Sequence, residues 1–183
     1  KETSIKLALL SDIHSNRQAL DACMEHARAQ GAQRFAWLGD LVGYGADPGY
    51  AVRQAMALVA QGHCVIGGNH DALAVHPLQP NDPAARTVAA QGASWTHAQL
   101  TAPERDFLAA LPLVAEVGGV LLVHASADAP ERWRYVDNEM VAQQCLDAAT
   151  QRPGIRHVFC GHVHRNTLYY RGTGRRLMRF TPQ

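Results

Sequence analysis

The chain lacks most of the features that mark special classes of protein. It has four cysteines, Cys23, Cys64, Cys145 and Cys160, and none forms a CxxC pair. That spacing offers no thiolate zinc site, and the expectation is four buried free thiols in a reducing cytoplasm. No apolar run approaches the ~20 residues of a membrane helix, so no membrane is expected as a partner. The opening KETSIKLALLSD has too short an apolar stretch for a signal peptide, and because it starts at Lys1 rather than Met, some earlier residues are expected to have been removed or not included. Charge of one sign is also lacking: the formal net charge is +1, which gives no broad field for nucleic acid or a membrane surface. No nucleic-acid-binding motif is present. GYGADPG (43–49) has Gly43 and Gly45 but Pro48 where a dinucleotide loop needs its third glycine, so a nucleotide cofactor is rejected.

What the chain has in excess is histidine, ten in 183 residues, a first hint of metal or phosphate chemistry. Repeats, low-complexity tracts and linkers are missing, and the length suits one domain across residues 1–183. Short apolar runs alternate with amphipathic segments. IKLALL (5–10), RFAWL (34–38) and HCVI (63–66) read as strands. NRQALDACMEHARAQ (16–30) reads as a helix capped by Asn16, with Ala19, Leu20, Cys23, Met24 and Ala27 on one stripe and Gly31 as its stop. PGYAVRQAMALVAQ (48–61) reads as a helix starting after Asp47. Residues 71–110 read as helical, with a capping box at Thr101 and Glu104. LVAEV and VLLVHA flank Gly118-Gly119 as a hairpin; a helix follows over 138–150, then a strand at IRHVFC (155–160) and a second hairpin around Gly172 and Gly174. This order implies an α/β fold with a mixed sheet or two packed sheets.

Five of the strand-like runs end on the same chemistry. LALL runs into Ser11-Asp12-Ile13-His14, FAWL into Gly39-Asp40, CVI into Gly67-Gly68-Asn69-His70-Asp71, VLLV into His124, and HVFC into Gly161-His162-Val163-His164. Ligands of open α/β sheets bind beyond the carboxyl ends of strands, so buried strands can bring all five ends to one rim. Asp, His and Asn without cysteine suit Mn, Fe, Zn, Co or Ni. Asp12 and His14 are two apart, as are His162 and His164, and in an extended segment such pairs point to one side. Each motif alone has an ordinary explanation as a polar turn or a satisfied histidine; the five together, each at a strand end, do not.

SDIHSN, LGDLVGYGADP, GGNHD, VHAS and CGHVH resemble the motifs of the calcineurin-like metallophosphoesterase superfamily, and the loop LVGYGADP is similar to that of its small bacterial phosphodiesterase or phosphatase branch. The resemblance runs from Ser11 to Arg165 and covers all five motifs. It implies a four-layer αββα sandwich of two mixed sheets flanked by helices. It implies two divalent transition-metal ions, one held by Asp12, His14 and His164 and the other by Asn69, His124 and His162, with Asp40 bridging. It places His70 beside the leaving group with Asp71 orienting it. The implied reaction is hydrolysis of a small phosphate mono- or diester by a metal-bound hydroxide. Arg165 follows His164 directly and is open between a contact to substrate phosphate and an ordinary surface arginine.

Other readings stay open. A nucleotide pyrophosphohydrolase resembling diadenosine tetraphosphatases, or a protein phosphatase, usually carries an arginine after the Asn-His-Glu motif; here Asp71, Ala72 and Leu73 stand there, which favours the small generic branch. A non-catalytic metal-binding scaffold would have shed ligands, and this set is complete. Further strands normally follow the last motif through an Asn-Pro-Gly-Ser-like turn. The chain instead runs through RGTGRRLMRF to TPQ, so it is expected either to lack C-terminal strands or to close its sheet differently.

Overall fold

The computed structural model describes residues 5–171 and 177–181. The chain divides into two compact units, Lys1–Pro112 and Leu113–Gln183. The first unit alternates strand and helix: β1 (Leu7–Leu10), α1 (Arg17–Ala29), β2 (Arg34–Leu38), α2 (Pro48–Ala60), β3 (Cys64–Ile66), α3 (Asn69–Val75), α4 (Val88–Gln99) and α5 (Ala102–Ala109), with a 3-10 turn at Pro83–Arg86. β1, β2 and β3 pair in that order and all parallel, with Leu10 opposite Trp37 and Leu38 opposite Ile66. Parallel strands share a carboxyl end, so the polar segments after all three emerge at one edge of this sheet.

The core of this unit gathers Trp37, Leu41, Val42, Val52 and Val65 around Leu20 and Met24 of α1 and Leu58 of α2. α1 buries a narrower stripe than the sequence suggested: Leu20 and Met24 are buried, while Ala19 and Cys23 are exposed. Cys23 therefore departs from the expectation of a buried thiol, whereas Cys145 is buried. Asn16 caps α1, its Oδ1 accepting from the Ala19 N–H at 3.0 Å. Asp47 makes no such side-chain cap on α2, which starts instead on the preset backbone of Pro48. α5 is capped as expected: the Glu104 carboxylate accepts from the Thr101 N–H at 2.8 Å and from its hydroxyl at 2.9 Å. Glu104 also accepts from Arg53 of α2 at 2.7 Å. Burial alone would raise its pKa, but these donors outweigh burial and hold it below the usual carboxylate range.

The second unit holds β4 (Val114–Val117), β5 (Val120–Val123), a 3-10 turn at Pro130–Arg132, α6 (Glu139–Thr150), β6 (His157–Phe159), β7 (Leu168–Arg171) and β8 (Leu177–Phe180). β4 and β5 form the expected hairpin, with Gly118 at φ +56° and Gly119 at φ +81°, a two-residue turn open to glycine above all. β6 pairs parallel to β5, so His124 and Gly161 leave the sheet at the same end. β7 and β8 pair antiparallel as a separate ribbon; the turn expected around Gly172 and Gly174 lies outside the described residues. Val136, Val141, Ala142, Cys145 and Leu177 form the core here. The α/β class is as the sequence implied, and no helix among the described residues is long and apolar enough to cross a membrane.

Candidate functional site

In the first unit the parallel pairing continues past the strands into the loops. The Asp12 N–H donates to Gly39 O at 3.1 Å, His14 N–H to Asp40 O at 2.9 Å and Ser15 N–H to Leu41 O at 2.9 Å. These bonds zip the segment after β1 onto the segment after β2 and set Asp12 and His14 beside Asp40. Asp12, His14 and Asp40 take φ values of +56°, +49° and +52°. Asp12 and His14 do turn to one side, as expected, but not through an extended segment: left-handed turns, not alternation, aim them. Non-glycine residues rarely hold such conformations unless the surroundings over-determine them, and they cluster at functional sites.

His14 donates from Nδ1 to Val42 O, 3.1 Å away, because a carbonyl only accepts. That leaves Nε2 facing Asp12 Oδ1 at 4.0 Å and Asp40 Oδ2 at 3.7 Å. Both separations are too long for a direct N–H···O bond. Two donors each ~2.1 Å from one ion lie at most ~4.2 Å apart, so each of the two separations from His14 Nε2 is short enough for a pair sharing a cation. Asp40 is almost wholly buried, and its Oδ1 accepts from the His70 N–H at 2.8 Å. Its second oxygen is thus the one turned toward His14.

GGNHD is held just as closely. Asp71 is buried; its Oδ2 accepts from the Gly68 N–H at 2.9 Å and its Oδ1 from the Val42 N–H at 3.1 Å. This carboxylate ties the first turn of α3 to the loop after β2. A Cβ at Gly68 would lie 2.2 Å from Asp40 Oδ1, so only glycine admits the approach of the two segments. Asn69 begins α3, half-buried, and the ring of the buried His70 lies 5.0 Å from that of His14.

In the second unit, the Gly161 N–H donates to His124 O at 3.0 Å, extending the β5–β6 pairing by one step. His124 is fully buried and its ring lies 5.0 Å from that of His162, itself buried. His162 donates from Nε2 to Trp133 O at 2.8 Å, which leaves Nδ1 as the ring atom that could ligate a metal. Tyr135 stacks on the same ring at 3.9 Å and 14°. His162 and His164 again take positive φ, +67° and +54°; His164 and Arg165 are exposed.

Every carboxylate and histidine expected to bind metal is a candidate ligand here: Asp12, His14 and Asp40 in the first unit, and His124, His162 and His164 in the second. Tyr44, Trp133 and Tyr135 were not singled out from sequence. Tyr44 had one usable signal, its place between two glycines; Trp133 acts through a backbone carbonyl, which no side-chain pattern reports.

Comparison with known proteins places these segments in context. The family described as calcineurin-like phosphoesterase matches residues 5–166. An uncharacterized protein of Methanocaldococcus jannaschii, MJ0912, is 34% identical over 137 residues, covering 71% of this chain and 53% of its own. A metallophosphoesterase from Sphaerobacter thermophilus superposes with a TM-score of 0.69 at 31% identity, over 92% of this chain and 64% of that one. A solved structure titled a putative diadenosine tetraphosphatase shares the fold, with a TM-score of 0.51 at 23% identity over 75% of this chain and 56% of that one. The chain thus spans about half the length of the curated relative it matches.

Proposed function

Since the chain belongs to the calcineurin-like phosphoesterase family, we propose that it hydrolyses a small phosphate mono- or diester with the help of two divalent metal ions. The observation that carries this reading is His14, whose Nδ1 proton is committed to Val42 O while Nε2 faces the Asp12 and Asp40 carboxylates at 4.0 and 3.7 Å. Asp12 and His14, joined by His164, would hold one ion; Asn69, His124 and His162 would hold the other; Asp40 would bridge them. Bound there, the ions supply a water acidified toward neutral pH and positive charge for the phosphate oxygens.

The remaining chemistry belongs to the chain. Only two carboxylates, Asp12 and Asp40, stand in the ligand set, so two divalent ions keep net positive charge and favour an anionic substrate. The His70 imidazole, carried on a backbone whose N–H donates to Asp40, would give a proton to the departing oxygen. Asp71 positions it by binding the Gly68 and Val42 N–H groups, which fixes the first turn of α3. Trp133 O and the Tyr135 ring hold His162 in one tautomer and one orientation. A panel of phosphomonoesters and phosphodiesters, run with Mn, Fe, Co, Ni and Zn in turn, tests the proposal. It expects metal-dependent turnover of at least one ester, and silence across the panel with metal bound would refute it.

A further inference from the structure

Tyr44 is an aromatic residue that the fold holds outward at some cost. Leu41 and Val42, just before it, are fully buried, whereas Tyr44 is 59% exposed. Its φ is +59°, a conformation that a bulky residue rarely takes without a reason. The glycines on either side explain how it is held. A Cβ at Gly43 would lie 2.7 Å from His70 Nδ1, and one at Gly45 would lie 2.3 Å from His14 O. The loop is thus laid flat, one glycine over each histidine segment, with the Tyr44 ring between. That ring lies 4.9 Å from the His14 ring and 4.6 Å from the His70 ring. Behind the loop, α4 passes close at Gly92, where an added Cβ would sit 4.0 Å from Tyr44 N.

Burial of apolar surface does not account for this placement, because more than half of the residue stays in solvent. From the contact with His70, the group assigned to the leaving side, we infer that Tyr44 is a stacking platform for a planar aromatic group carried by the leaving alcohol, an aryl ring or a nucleobase. The inference rests on the reading of this site as a phosphoesterase centre. Stacking tolerates any flat ring, since each offers a π face, so the platform selects a chemical class and not a single substrate.

The test is equilibrium binding by calorimetry to the manganese-loaded protein with matched probes that differ only in the ring. The phosphonate analogue of AMP against that of ribose 5-phosphate, each with a non-hydrolysable P–C bond, tests a nucleobase; phenylphosphonate against methylphosphonate tests a simple aryl group. The aromatic probe of at least one pair should bind about tenfold tighter. Tyr44→Phe keeps that preference, and Tyr44→Asn, whose side chain suits a positive φ, brings it close to one by weakening the aromatic probe. A preference absent from both pairs, or one that survives in Tyr44→Asn, overturns the platform while leaving the phosphoesterase reading intact. Failure of every phosphonate probe to bind the metal-loaded wild type overturns the phosphoesterase reading, and the platform with it.

Discussion

Asp40 does three things at once, and its substitution by asparagine can spare two of them, which makes it the sharpest residue-level probe. Its backbone carbonyl receives the His14 N–H, its Oδ1 the His70 N–H, and its Oδ2 faces His14 Nε2. Asp40→Asn replaces a charged bridge by a neutral amide while keeping the size. Metal content, measured by elemental analysis, and turnover should fall together, turnover by about 100-fold or more. Two ions per chain in that variant would contradict the bridging role. His70 gives the complementary case. His70→Ala should keep its metal yet lose about 100- to 10,000-fold in turnover of alkyl esters, whose leaving groups need a proton. The loss on p-nitrophenyl esters should be small, and an equal loss on both would remove His70 as the acid. These residues were legible in the sequence because side chains carry the signal: DxH, GD, GNHD and GHxH each follow an apolar run. The left-handed backbone at Asp12, His14, Asp40, His162 and His164 was not legible, because loop-to-loop hydrogen bonds depend on which strands lie side by side.

At the scale of elements, the strand and helix pattern was readable almost throughout, and what failed has local physical causes. β2 and the Gly118-Gly119 hairpin fall where the sequence placed them, since alternation and turn residues are local properties. The helical stretch 71–110 breaks into α3, a 3-10 turn, α4 and α5, because Pro77, Pro80 and Pro83 interrupt the first half and the Thr101 cap starts α5 afresh. Two predictions belong here. Gly68→Ala puts a methyl against Asp40 and should destabilise the protein by about 1–3 kcal/mol in urea unfolding. Glu104→Gln removes a carboxylate whose pKa is held low by Thr101 and Arg53 despite its burial. Its stabilising effect is full above the unfolded-state pKa and is lost as pH falls through the folded one. The wild type should therefore exceed Glu104→Gln at neutral pH by about 1–3 kcal/mol, and the gap should close on acidification through the carboxylate range. A gap unchanged by pH would assign the loss to packing.

At the scale of the whole molecule, each unit carries candidate ligands of its own, Asp12, His14, Asp40 and Asn69 in the first and His124, His162 and His164 in the second. This division was not visible in the sequence, which shows no linker near Pro112. Ions that bind only the folded chain would couple metal binding to folding. Free metal at about 100 times its Kd stabilises the folded chain by ~2.7 kcal/mol per ion. Chelation should then lower the melting temperature by roughly 5–10 °C per ion, and a melting curve indifferent to chelator would argue against resident ions. The most direct measurement of the central claim is titration of the metal-free protein with manganese while following hydrolysis of both p-nitrophenyl phosphate and bis-p-nitrophenyl phosphate. Turnover that rises with metal and levels off at two ions per chain is the predicted result; metal bound to that level with no hydrolysis would contradict it.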